Sequence, residues 1–212
     1  MKFSLYNSRF FRFFSRVAEL MLLNFLFILC CLPIFTAGAS LSALYSVCLK
    51  LVRNEEAYIA RDFFRAFRQN LKHGIILHLI LLTATTVILT DLVVVWNLME
   101  TNTLLKGVFL VMALLSLLLL MASVYIYPLL AQFTNNVKGY LRNSAIMSVR
   151  HLSTTVMFLL INLLPFVAAM LFPAALLWEI LLFLLLGFAG MIYVHSYFLS
   201  PIFNKYIEEM QE

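Results

Sequence analysis

Long runs of apolar residues, separated by short polar connections, dominate this chain. Six such runs can be drawn, at residues 17–35, 37–52, 74–96, 107–130, 152–172 and 174–199. A helix needs roughly 20 apolar residues to cross the hydrocarbon of a bilayer, and these runs lack the alternation typical of barrel strands. The pattern predicts an all-α fold: a polytopic transmembrane helical bundle of about six spans, arranged as three hairpins in a single domain over residues 1–212.

The composition leads to the same conclusion. Of the 212 residues, 64% are hydrophobic and only 12% are charged. A water-soluble domain of this size could not cover so much apolar surface with polar groups. In lipid the backbone must be hydrogen-bonded within each spanning segment, which favours helices.

Lysine and arginine are distributed unevenly among the connections. They precede the first run, from Lys2 to Arg16, lie between the second and third runs and between the fourth and fifth, and follow the sixth. Only Lys106 falls on the other side. Cytoplasmic loops collect Lys and Arg, so we expect both termini inside the cell. Because the basic residues flank apolar runs, they indicate topology and do not favour a nucleic-acid partner.

The turn between the first two runs combines a proline with many small residues. Pro33 should interrupt the first helix, and Thr36 or Ser40 can cap the second with a hydroxyl. Small side chains let neighbouring helices approach closely. The candidate residues of this helix-packing motif are Pro33, Thr36, Gly38, Ser40, Ala43 and Tyr45. We favour a tight hairpin in the bundle centre; the alternative is a short, irregular helix that lines a transport cavity.

The segment from Glu55 to His73 predicts an amphipathic helix with a basic face. Its candidate contact residues are Phe63, Arg65, Phe67, Arg68 and Lys72. With the basic connection before the fifth run, it makes two cytoplasmic amphipathic helices. The favoured interpretation is a helix that lies on anionic lipid, and the alternative is a docking surface for a cytoplasmic protein.

Polar residues at membrane depth are the remaining candidates for function. Asn24 and Asn162 lie deepest in their runs, whereas Glu179 lies near the outer end of its run and His195 near the cytoplasmic end. Asparagine often forms hydrogen bonds between membrane helices. No chain of carboxylates crosses the middle, which gives little support to an ion-coupled carrier.

Motifs for catalysis and energy coupling are absent from the sequence. It contains no phosphate-binding loop of the GxxxxGK[ST] type, no HExxH and no GxSxG. Four scattered histidines do not make a metal site, and the three cysteines fall in or beside apolar runs. We therefore expect a protein that is not an enzyme and has no cofactor or metal.

Two stretches of the sequence carry a family resemblance. They are Pro33-x-x-Thr36-x-Gly38-x-Ser40-x-x-Ala43-Leu44-Tyr45 and Asp62-Phe63-Phe64-Arg65-Ala66-Phe67-Arg68-Gln69-Asn70-Leu71-Lys72. Together, and with the number of spans, they resemble the YesL-like family of small bacterial integral membrane proteins, a family of unknown function associated with carbohydrate importers of the ATP-binding cassette (ABC) type.

The resemblance implies a location in the bacterial cytoplasmic membrane and a non-enzymatic accessory or assembly role. The implied partners are the permease subunits of an ABC importer for oligosaccharides, in addition to the lipid bilayer. The chain does not look like an ordinary permease subunit, since Glu56-Ala57-Tyr58 lacks the third residue of the usual Glu-Ala-Ala loop. The alternative function is a self-contained small-molecule transporter, with a polar cavity near Thr83, Thr85, Asn24 or Asn162.

Overall fold

The computed structural model describes residues 9–98 and 103–209, and over these ranges the chain is helical with no strand. The helices are α1 Arg9–Cys31, α2 Ala37–Val52, α3 Ile59–Leu98, α4 Thr103–Gln132, α5 Val137–Arg150, α6 Leu152–Leu171, α7 Leu176–Leu182 and α8 Phe188–Glu209. Among the described residues, six helical segments are long and apolar enough to cross a membrane: Arg12–Cys31, Ile34–Val52, Ile59–Leu98, Leu104–Gln132, Leu152–Leu171 and Pro173–Glu209. The predicted all-α fold with six membrane spans is confirmed. Lys2, one of the basic residues that predict a cytoplasmic amino terminus, lies outside the described residues.

α2 is the central helix of the bundle, with α1, α3, α4 and α8 packed around it. Within its apolar segment 67% of the residues are buried, against 22% or less in the other five spans. Ala43, Leu44, Val47 and Cys48 have no exposed surface at all. The leucine-rich faces of the surrounding helices point outward, as expected where lipid is the solvent.

Contacts between distant residues bring several basic connections to one end of the bundle. The Arg16 guanidinium lies 3.5 Å from the Asn54 side-chain oxygen. Arg53 Nε donates a hydrogen bond of 3.4 Å to the Ser200 hydroxyl. We call this the basic end, and the other side of the bundle the opposite end.

The prediction of a separate helix over residues 55–73 is wrong. The first of the two amphipathic segments is the beginning of α3, which runs unbroken for 40 residues. At a rise of about 1.5 Å per residue such a helix is about 60 Å long, roughly twice the thickness of the hydrocarbon. Gly74, the only glycine in α3, lies within the helix. The second amphipathic segment does form its own helix, α5, where Asn136 caps the first turn by accepting a 2.7 Å bond from Gly139 N–H.

The ends of the first and last spans also differ from the predicted bounds. α1 ends at Cys31, before the predicted limit at Phe35, because the residue preceding Pro33 is disfavoured in helical conformation. The last span contains a 3-10 turn at Pro173–Ala175 and a π-helical turn at Phe183–Gly187, and α8 continues well past residue 199 to Glu209.

Candidate functional site

α2 and α3 touch at their backbones, where Gly38 meets Gly74. A Cβ atom added to Gly38 would overlap the backbone oxygen of Gly74. A Cβ added to Gly74 would lie 2.7 Å from both the Cα and the backbone nitrogen of Ala39. Glycine is needed at both positions, because any side chain would push the two helices apart.

The turn that leads into α2 is closed by Thr36. Its hydroxyl donates to the backbone oxygens of Cys30 and Pro33, each at 2.7 Å, and its backbone N–H donates to Pro33 at 2.9 Å. The expected side-chain cap on α2 is absent. Thr36, one of the two residues predicted as a possible cap, therefore does not cap the second helix: its hydroxyl satisfies one carbonyl group at the end of α1 and one in the turn. Ser40 and Ala43, one and two turns further on, are fully buried.

Tyr45 connects α2 to α8 through a buried histidine. The Tyr45 hydroxyl lies 3.2 Å from Nδ1 of His195, and both residues are almost completely buried. The ring of Phe158 in α6 covers the imidazole, with 4.3 Å between ring centroids. Nε2 of His195 has no hydrogen-bond partner among the described residues. This contact joins α2, α6 and α8 near the basic end.

Asn24 in α1 binds the π-helical turn of the last span. Its amide nitrogen donates to the backbone oxygens of Phe183 and Leu184, at 3.0 and 2.8 Å. Its side-chain oxygen accepts a 2.9 Å bond from the backbone N–H of Ala189. A π-helical turn disturbs the regular backbone hydrogen bonds of a helix, and in hydrocarbon each unsatisfied group is costly. One asparagine side chain thus makes three hydrogen bonds to the backbone at this turn and just after it.

The predicted row of contact residues on α3 is divided by the structure. Phe63 has no exposed surface and belongs to the bundle core, so the prediction that it faces lipid or a docked protein is wrong. Phe67 is half-buried against the same core. Arg65, Arg68 and Lys72 are exposed. The basic part of the row is therefore on the surface, where Arg68 and Lys72 make no ion pair with a described residue, and its aromatic part is used for packing.

An ion-pair group fixes the beginning of α3 to the end of α2. The buried carboxylate of Asp62 lies 3.1 Å from the Lys50 ammonium and 3.6 Å from the Arg65 guanidinium. A buried carboxylate needs such partners, because its desolvation would otherwise be costly. Lys50 therefore forms an ion pair within the protein.

His151 lies at the basic end, in the connection between α5 and α6. Its Nε2 atom is 3.2 Å from the Tyr206 hydroxyl, and the Arg150 guanidinium lies 5.4 Å above the Tyr206 ring. Burial, together with the positive charges of Arg150 and Lys205, lowers the pKa of His151 below its usual value of 6.5. The neutral imidazole is therefore the form favoured by the folded protein.

The opposite half of α6 packs loosely against the rest of the bundle. Only Thr155 and Phe158, near its beginning, are buried. Beyond them, two open grooves of about 590 and 510 Å³ flank the helix, one on each side. Pro165, Glu179 and Phe183 line both grooves. This is the part of the described bundle where apolar surface and polar groups occur together without close packing.

Within the described residues no group of three or more histidine, cysteine or acidic side chains could hold a metal ion. Cys30, Cys31 and Cys48 are free thiols. Sequence reasoning identified Asn24 and His195 as polar residues at membrane depth but not their partners, which lie more than a hundred residues away along the chain.

The comparisons with known proteins cover the first part of this structure. No curated protein and no solved structure matches the chain. Residues 20–92 match the family model described as "Protein of unknown function, DUF624". The matched segment contains about half of α1, all of α2 and most of α3, and therefore includes the Gly38–Gly74 crossing and the Thr36 turn. In this segment the chain is similar to a family without an assigned activity.

Proposed function

We propose that this protein is a non-enzymatic accessory subunit of a bacterial ABC-type carbohydrate importer, located in the cytoplasmic membrane. The match to a family model over residues 20–92 supports the resemblance to the YesL-like family. Members of that family are associated with such importers. The observation that carries the proposal is the packing of α2. Gly38 of α2 meets Gly74 of α3 at backbone contact, and the small residues Ala39, Ser40 and Ala43 of α2 have no exposed surface.

The alternative, a self-contained transporter, is less well supported. It requires the polar side chains at membrane depth to converge on a cavity. Asn24 is instead occupied by the π-helical turn, and Thr83 and Thr85 are exposed on the outer surface of α3, where the Thr83 hydroxyl bonds to the backbone oxygen of Leu79. Asn162 faces a groove open to lipid. These four side chains therefore do not converge on one cavity: Asn24 is bound to the last span, the two threonines are on the outer surface of α3, and Asn162 lies in the groove.

The exposed basic row of α3 is the surface that we assign to the cytoplasm, following the distribution of basic residues. Because α3 is continuous, the part before Gly74 extends along the axis of the span and does not form an independent helix on the membrane surface. This geometry favours contact with a cytoplasmic part of the importer over contact with lipid alone. Arg68 and Lys72 are exposed there and make no ion pair with any described residue.

Co-purification of a tagged copy with the neighbouring permeases in mild detergent tests the proposal. We expect the permease pair to be recovered with the wild-type chain. Recovery of this protein alone, under conditions that keep the permease pair intact, would refute the accessory role.

Charge reversal tests the assigned surface separately. R68E/K72E should lower permease recovery, whereas K138E/R142E should not; the second variant changes net charge equally, on the exposed side of α5. Equal losses in both variants would indicate a general effect of charge and would remove α3 as the contact surface.

A further inference from the structure

Two asparagines lie deep in the membrane spans, and the structure treats them differently. The amide of Asn24 makes three hydrogen bonds to the backbone of the last span, two to the π-helical turn and one to Ala189 just after it. Asn162 in α6 is half-buried and makes no hydrogen bond to any described residue. An amide without a partner in hydrocarbon is costly, and in membrane proteins asparagine usually bonds across a helix interface.

The unpaired amide faces one of the two open grooves. This groove, which we call the α6 groove, has a volume of about 510 Å³ and is lined by Asn162, Phe166, Ala169, Glu179, Phe183 and Met191, among others. Glu179 also makes no ion pair or hydrogen bond with a described residue. The α6 groove therefore combines an apolar surface with two polar side chains that lack partners.

The depths of the two polar side chains restrict what can fill the groove. Asn162 lies nine residues before the end of α6 at Leu171, which is about 14 Å below the turn at the opposite end. Glu179 lies three residues after the start of α7 at Leu176, about 5 Å below the same turn. An acyl chain carries no hydrogen-bonding group at the depth of Asn162, so lipid alone leaves that amide unsatisfied.

We propose that a transmembrane helix of another protein chain docks in the α6 groove. It carries a hydroxyl or amide side chain that bonds to Asn162, and a basic side chain that pairs with Glu179, about six residues nearer the opposite end. This deepens the accessory function proposed above and rests on it for the choice of a different protein as the partner.

A second copy of this chain fits the α6 groove less well. The basic residue available at the opposite end of the bundle is Lys106, near the start of α4. Six residues further into that helix stands Met112, with Val111 and Ala113 beside it, and none of these can bond to Asn162. α4 therefore provides a basic side chain that could pair with Glu179, but no polar side chain at the depth of Asn162.

The experiment is photo-crosslinking of the full chain in its native membranes. Benzoylphenylalanine replaces Phe166, which lines the α6 groove and is 70% exposed. The matched control replaces Phe25 of α1, which is 60% exposed. We expect an adduct from position 166 and not from position 25, and the crosslinked peptide should be a membrane span of another protein with the stated polar and basic residues.

The variant N162L/E179Q tests whether the side chains of Asn162 and Glu179 are needed for the partner helix to bind in the α6 groove. It should lower the yield of the adduct by about tenfold, since two buried polar contacts are lost. It should leave the melting temperature of the purified protein unchanged, because neither side chain has a partner within the described chain. An unchanged yield, an adduct to lipid only, or an adduct to a second copy of this chain would each overturn the proposal.

The same experiment separates this proposal from the accessory function. If N162L/E179Q still co-purifies with the permeases at wild-type yield, the groove is not the interface while the accessory role stands. If position 166 crosslinks to a membrane span that fits the stated chemistry but belongs to no importer, the groove stands and the importer role fails.

Discussion

The backbone contact between α2 and α3 makes the change Gly74→Ala the sharpest test of the bundle centre. The added methyl group would lie 2.7 Å from two backbone atoms of Ala39, whereas ordinary contact begins at 3.4 Å. The helices must therefore separate by about 0.7 Å, in an interior packed like an organic crystal. Gly107→Ala is the matched control, because an added Cβ there meets nothing within 4 Å in the helix α4.

The expected magnitude follows from two opposing effects. Overpacking costs about 1–3 kcal/mol, and the upper part of this range applies because the obstructing atoms are backbone and cannot rotate away. Replacing glycine by alanine inside a helix recovers about 1 kcal/mol. We expect Gly74→Ala to lose about 2 kcal/mol and Gly107→Ala to gain about 1 kcal/mol, which is a difference of about 10 °C in melting temperature for a chain of this size.

Thermal unfolding in detergent, followed with a thiol-reactive dye, measures this difference. Cys30 and Cys31 are only half-buried, so the measurement uses chains in which both are replaced by serine. Cys48 in α2 has no exposed surface, and its labelling then reports the opening of the bundle centre. Gly38→Ala should behave as Gly74→Ala does, since both affect the same crossing. Melting temperatures for Gly74→Ala and Gly107→Ala that agree within about 1–2 °C would show that α2 and α3 do not touch at their backbones.

Three further predictions concern other parts of the chain. Asn24→Leu should destabilise the protein by about 1–2 kcal/mol, because it removes three hydrogen bonds between α1 and the last span, whereas Asn162→Leu should not; melting temperatures of the two variants decide this. The unfolded chain binds a proton at His151 at a higher pH than the folded chain, so the free energy of unfolding should fall as the pH drops below about 6.5. His151→Asn should flatten this part of the curve of stability against pH. A slope that the substitution leaves unchanged would refute the lowered pKa of His151. Reporter fusions after Asn70 and after Asn102, the latter outside the described residues, should report cytoplasm and exterior, respectively, and a shared compartment would refute the orientation.

The structure agrees with the prediction from the sequence where neighbouring residues alone determine the ends of a helix. The bounds of α2 agree with the predicted second run, residues 37–52, because a proline and a row of small residues mark its beginning and a basic connection marks its end. The prediction failed for α3. Amphipathic periodicity indicated a helix before Gly74, but periodicity cannot show whether a glycine ends a helix or lies inside one.

The sequence by itself determined that this protein crosses a bilayer as six helices, because lipid leaves long apolar segments no other way to satisfy their backbones. Tertiary structure decided which polar side chains are structural and which are available. Asn24 and Asn162 have the same chemistry at similar depth, yet one is satisfied by carbonyl groups some 160 residues away and the other faces an open groove. Hydrogen-bond partners on other helices are set by packing, and the pattern of residues along one helix does not contain that information.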